Sequence, residues 1–216
     1  MNNNLITLFT ICFLALSTSA VYAKEFVVSY DGFYDRLKVV DKGQYQFARV
    51  NFYLSDIATK EPCRIKTGKI ITEKNNLPLS FTDNAQLLLP LDKQLDSDKA
   101  VIVVQPENQA HDCQLKMQIE AEHVQNSNLT QDVLLKVHNE FDDLLTSLSG
   151  FFVGKLMAFL LPSQQGIQIE FTETNLISGA VCEGKICKLP MASHWILPND
   201  TVFKGQVVKV VPWIAK

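Results

Sequence analysis

Residues 46–54 read Gln-Phe-Ala-Arg-Val-Asn-Phe-Tyr-Leu. In an extended chain Ala48, Val50, Phe52 and Leu54 point one way, and Phe47, Arg49, Asn51 and Tyr53 the other. A period of two with one apolar face predicts a half-buried β-strand. Working outward, shorter apolar stretches predict strands at Phe26–Ser29, Arg64–Thr72, Ala85–Leu89, Val101–Val104 and Gln114–Ala121. Pro62, Pro78, Pro90 and Pro106 separate them, which suits turns and sheet edges. Asp31–Val40 predicts one short helix, weakened at its start by Gly32. Downstream, Ile167–Thr172, a hairpin over Val181–Leu189 with Glu183-Gly184-Lys185 at its tip, and Gln206–Val211 complete the β pattern.

Between these β regions lies the strongest helical signal. From Thr130 to Leu161, Leu134, Val137, Phe141, Leu145, Leu148, Phe152, Leu156 and Phe159 fall on one stripe about 100° wide. Asn128 or Thr130 can cap its start, and Pro162 stops it. Asp132, Lys136 and Glu140, four apart on the opposite face, read as a solvated ladder of ion pairs. Past Ser149 that face turns into Gly150, Gly154 and Ala158, with Lys155 its one charge. Such a ridge fits a helix half enclosed by the rest of the protein; a lipid- or membrane-surface contact is the sharper alternative. The fold class expected is α+β: mainly antiparallel β segments flanking one long amphipathic helix, with two disulfides. The divisions expected are a signal peptide at 1–23, a β-rich region at 24–128, the helix at 129–162 and a C-terminal β region at 163–216. Residues 24–216 are expected to form one compact unit.

The first 23 residues carry no charged side chain. An apolar core from Leu5 to Leu16 is followed by small residues, with Val21 and Ala23 at −3 and −1 of a cleavage site. This is the layout of a secretory signal peptide, although it lacks the usual basic start. The apolar run is shorter than the ~20 residues a membrane span requires. Cleavage after Ala23 leaves Cys63, Cys113, Cys182 and Cys187 of the five cysteines. An even number in an exported chain reads as disulfides. Three connectivities exist; sequence proximity favours Cys182–Cys187, leaving Cys63–Cys113. The alternative, a metal held by His111 and Cys113, lacks the second Cys-x-x-Cys of a zinc cluster.

The composition excludes several classes. A chain that is 47% hydrophobic with a net charge of −3 is neither disordered nor a nucleic-acid binder. No Gly-x-Ser-x-Gly or His-Glu-x-x-His occurs. GFFVGK at 150–155 is too short for a phosphate loop and lacks its Ser or Thr. His111, His123, His138 and His194 are scattered, and Met191 with His194 is too small a set for copper. Glu140, Asp142 and Asp143 form an acidic cluster that a solvated helix face explains. No cofactor or metal is expected. All the tyrosines after the signal lie at 30, 34, 45 and 53, and Tyr34, Tyr45 and Tyr53 are the candidate recognition residues. A faint echo links Gly68-Lys69-Ile70, Leu89-Pro90-Leu91-Asp92 and Val101–Val104 with Gly184-Lys185-Ile186, Leu197-Pro198-Asn199-Asp200 and Val207–Val210; common turn chemistry explains it more simply than duplication.

The run from Tyr30 to Gly43, Tyr-Asp-Gly-Phe-Tyr-Asp-Arg-Leu-Lys-Val-Val-Asp-Lys-Gly, resembles domain-of-unknown-function family 2987, exported proteins of Gram-negative bacteria. The strand Phe52-Tyr53-Leu54, the surroundings of Cys63, Leu88-Leu89-Pro90-Leu91-Asp92 and the closing Val-Pro-Trp-Ile are similar to it as well. The resemblance implies a periplasmic, signal-bearing protein and no activity. The expected function is a non-enzymatic binding or envelope-accessory module whose partner is a protein or envelope component. An enzyme assembled from dispersed residues and a lipid-binding protein using the Gly150–Ala158 helix half are the alternatives.

Overall fold

The computed structural model describes residues 25–108, 112–152, 164–191, 196–198 and 201–214. The chain begins with β1 (Phe26–Ser29), α1 (Asp31–Gly43), β2 (Ala48–Asp56) and β3 (Ile65–Ile71). Three short strands follow, β4 (Asn76–Pro78), β5 (Ser80–Phe81) and β6 (Gln86–Leu88), then α2 (Lys93–Ser97). Next come β7 (Val101–Pro106), β8 (Cys113–Ala121) and α3 (Gln131–Phe152). The last strands are β9 (Gln164–Phe171), β10 (Val181–Glu183), β11 (Ile186–Pro190) and β12 (Val207–Ile214).

Three four-stranded antiparallel sheets result, ordered β1-β7-β3-β4, β5-β6-β2-β8 and β10-β11-β9-β12. We call them the first, second and third sheet. The third sheet lays β12 alongside β8 of the second. α1 and α3 touch each other, both reach β2, and α3 also reaches β9. One apolar core runs through all of these elements, from Phe33 and Leu54 to Phe141, Ile169 and Leu189.

Three motifs distant in sequence meet in this core. Phe33 of α1 stands edge-on to Phe52 of β2, ring centroids 4.8 Å apart. The fully buried Tyr30 donates its hydroxyl to Pro90 O at 2.5 Å and accepts from Asp92 N at 3.0 Å. Asp92 in turn caps α2, its carboxylate accepting from Gln94 N and Leu95 N. The Tyr30 run and the Leu-Pro-Leu-Asp run are therefore two sides of one hydrogen-bonded joint.

Several expectations need correction. β2 is not half-buried throughout: Tyr53 is 8% exposed, close to Phe52 on the opposite face. The reason is tertiary, because Lys209 of β12 lies over the Tyr53 ring, 5.2 Å from its centroid. On α3 the buried stripe is Leu134, Val137, Phe141, Leu144 and Leu148, so Leu144 takes the place expected of Leu145. Thr130 caps this helix, accepting from Val133 N at 3.3 Å. Asn128 instead closes a preceding 3₁₀ turn through Gln125 N and His123 O. The helix beyond Phe152, with Gly154 and Ala158 of the ridge, and the 1–23 segment lie outside the described residues. The internal echo is not a structural repeat. Gly68 sits within β3, which pairs with β7, whereas Gly184 is a turn residue at φ +60° and β9 separates β11 from β12.

Both disulfides form as paired above. Cys63–Cys113 spans a Cα distance of 6.2 Å and joins the loop after β2 to the start of β8. Cys182–Cys187 crosses the β10–β11 hairpin between directly opposed residues, with Cα atoms 4.0 Å apart. The chain-entropy argument makes the first worth about 4 kcal/mol and the second about 2 kcal/mol. Denaturant unfolding of the two double Cys→Ala variants should show that order; equal losses would contradict it.

Candidate functional site

α1 ends on Gly43, and Gln44 follows in the left-handed region at φ 51°. A Cβ on Gly43 would stand 2.1 Å from the Tyr45 ring, so the glycine is what lets that ring lie against the helix end. The next amides have no strand partner, and a side chain of α3 serves them. Glu140 accepts from Gln46 N at 3.0 Å, Phe47 N at 2.7 Å and Ala48 N at 2.9 Å. Charge-assisted bonds of this kind are the strong ones. Tyr45 donates its hydroxyl to Asp143 at 2.6 Å, and the Lys136 ammonium reaches Gln46 Oε1. Glu140 and Lys136 are thus not rungs of a solvated ladder: each holds the entry to β2.

The half-buried Tyr45 ring is shared by two grooves. One, of about 460 Å³, runs along α3 past Asp132, Leu135 and Asn139. The other, of about 350 Å³, lies on the α1 side against Leu37, Val40 and Leu91. Burial, reinforced by the bond to Asp143, pushes the Tyr45 hydroxyl up to about 12. Its proton therefore stays in place at physiological pH. With the Glu140 carboxylate committed to three amides, the groove offers a firm apolar edge with a polar rim.

A second polar cluster lies between the second and third sheets. Glu120, 7% exposed, accepts from Tyr53 OH at 2.7 Å and Asn51 Nδ2 at 2.9 Å, and pairs with Lys209 at 3.2 Å. Burial, then the bond to Glu120, raises the Tyr53 hydroxyl above its ordinary value. This cluster fastens β8 to β12.

The three candidate recognition tyrosines do not share a surface. Tyr53 sits in the cluster just described, and Tyr34, 9% exposed, packs beside Tyr30 with the Lys38 ammonium 5.6 Å from its ring. Tyr45 alone of the three is half-buried in a groove. Cys113 is in the expected disulfide, so the alternative of a metal held with His111 falls away. Among the described residues no group of three or more His, Cys, Asp or Glu is placed to hold a metal ion. His138 is half-buried on α3, and desolvation lowers its pKa against the opposing pull of Asp142. His111 and His194 lie outside the described residues. Sequence reading missed the roles of Glu140, Glu120 and Lys209. Glu140 is 93 positions from the amide of Phe47, and no local pattern marks a partner so distant.

This geometry sets three expected outcomes. Glu140→Ala leaves three amides unserved and should cost about 3 kcal/mol in denaturant unfolding, against about 1 kcal/mol for Tyr45→Phe. Because the folded Tyr45 binds its proton above the unfolded value of 10, stability should fall as pH rises from 10 to about 12. Tyr45→Phe should make that fall shallower, with the part owed to Tyr53 remaining. Lys209→Met, which strands the Glu120 carboxylate, should cost about 3 kcal/mol, with adding Glu120→Gln restoring part of it.

No curated protein and no solved structure matches the chain. Among the described residues no helix is long and apolar enough to cross a membrane. The family described as "Protein of unknown function (DUF2987)" matches residues 22–171. The match takes in the Tyr45 grooves and the Tyr30 joint, and ends at the last residue of β9. The chain belongs to this DUF2987 family.

Proposed function

We propose that the protein is exported to a bacterial periplasm and acts there as a non-enzymatic binding or envelope-accessory module. Its contact surface is the groove at Tyr45, and its partner a protein or other envelope component. The observation that carries this reading is the commitment of the groove's ionisable groups. Glu140 and the Tyr45–Asp143 pair hold the backbone and each other, which makes a preorganised surface and leaves little for proton transfer. Leu135, 39% exposed, supplies an apolar anchor beside the ring, and Asp132 and Asn139 a polar rim. Two disulfides favour an oxidising compartment, in keeping with the apolar 1–23 segment.

Two measurements test the proposal. The protein from a periplasmic extract should begin at Lys24 by mass spectrometry; a cytoplasmic protein retaining Met1 overturns the export reading. A photo-crosslinking residue in place of Leu135 should give discrete adducts in the periplasm, and the same residue in place of Leu77, at the edge of the first sheet, should give none. Identical patterns at both positions, or no adduct at Leu135, overturn the groove as the contact surface.

A further inference from the structure

The outer face of the third sheet carries a separate site, independent of the Tyr45 groove. A shallow cavity of about 730 Å³ lies over it, walled by Gln165, Gln168, Lys188 and Trp213 and floored by Val211 and Ile214. The register places Gln168, Lys188, Val211 and Trp213 on one face, and Gln165 borders the cavity from the end of β9. Lys188 and Val211 flank Gln168 from the two sides of β9, and in the next row Trp213 stands opposite Gly166. Gly166 admits no side chain, because a Cβ there would lie 2.0 Å from Leu189 O. The indole is therefore bordered on the β9 side by backbone alone. Among the described residues the amides of Gln165 and Gln168, the Lys188 ammonium and the Trp213 N–H have no protein partner. One aromatic ring, with its own N–H unspent, thus sits among three unspent polar side chains.

This chemistry selects among ligands. β9 is hydrogen-bonded on both edges, and β12, the end strand of the sheet, lies alongside β8 of the second sheet, so an extended peptide finds little free backbone to pair with here. A lipid chain would meet amides and an ammonium around the ring. A sugar ring suits all of it, since its C–H face stacks on indole and its hydroxyls exchange hydrogen bonds with side-chain amides. The charge is placed to one side. Lys188 lies next to the Trp213 row, whereas the carboxylates of that face, Glu170 and Glu183, lie one row further away, in the row of Ile186 and Lys209.

We propose that the Trp213 face of the third sheet binds an oligosaccharide bearing carboxylates, stacked on Trp213, hydrogen-bonded by Gln165 and Gln168, and paired through a carboxylate with Lys188. Calorimetric titration of the folded chain with trigalacturonic acid and, as a neutral probe of equal length, with maltotriose tests it. The acidic probe should bind more tightly than the neutral one. Trp213→Ala should weaken both by about tenfold, the loss of one stacking contact. Lys188→Gln, a change on a part-exposed side chain, should weaken only the acidic probe, by about threefold. Thermal melts of both variants guard against loss of folding, and Gln168→Ala gives a milder second variant should Trp213→Ala melt early. Absence of binding by both probes at millimolar concentration overturns the site. So does native affinity in the folded variants, and equal binding of the two probes overturns the carboxylate assignment.

Discussion

The carboxylate of Glu140 is the constraint on which the arrangement of helices and sheets turns. The chain leaves α1 through a left-handed residue and must enter β2 within a few positions. The amides of residues 46–48 are presented to α3 rather than to a strand, and unpaired buried donors are costly. By accepting all three, Glu140 fixes where α3 crosses the start of β2. That crossing sets Tyr45 between the two helices and so creates the grooves on either side of its ring. It also directs Leu134, Val137 and Phe141 into the core shared with β2 and β9.

The rest of the molecule repeats this way of joining parts, a polar group in one element completing the backbone or charge of another. Tyr30 bridges the Pro90–Asp92 turn, and Glu120 draws Lys209 across from the third sheet. Apolar burial supplies the bulk of the stabilisation but has little directional preference. The polar joints supply the direction. They account for Tyr53 being buried on a face of β2 that alternation alone would leave in solvent.

Much of the architecture was legible from residue order because its causes are local. The period of two in 46–54 located β2 to within two residues, and the spacing of Leu134, Val137, Phe141 and Leu148 located α3. Four cysteines after residue 23, two of them close in sequence, sufficed for the correct pairing. The short strands β4 and β5 and the helix α2 escaped notice, since elements of two to five residues carry too few positions to display a period. The candidate site was legible in part. The tyrosine-rich stretch pointed to Tyr45, but the acidic cluster on α3 read as a solvated face because its partners are amides, which no side-chain pattern reports.

Sequence alone determined the antiparallel β-rich class, the long helix as far as it is described, the disulfide pairing and the family. Each follows from periodicity, cysteine number or similarity along the chain, which are properties of neighbours in sequence. Tertiary structure decided which tyrosine meets a groove, that Glu140 and Glu120 are joints and not solvated charges, and that Gln168, Lys188 and Trp213 share one face. Those outcomes depend on strand register and on the order of strands in a sheet. They bring together residues whose separation along the chain leaves no trace of their contact.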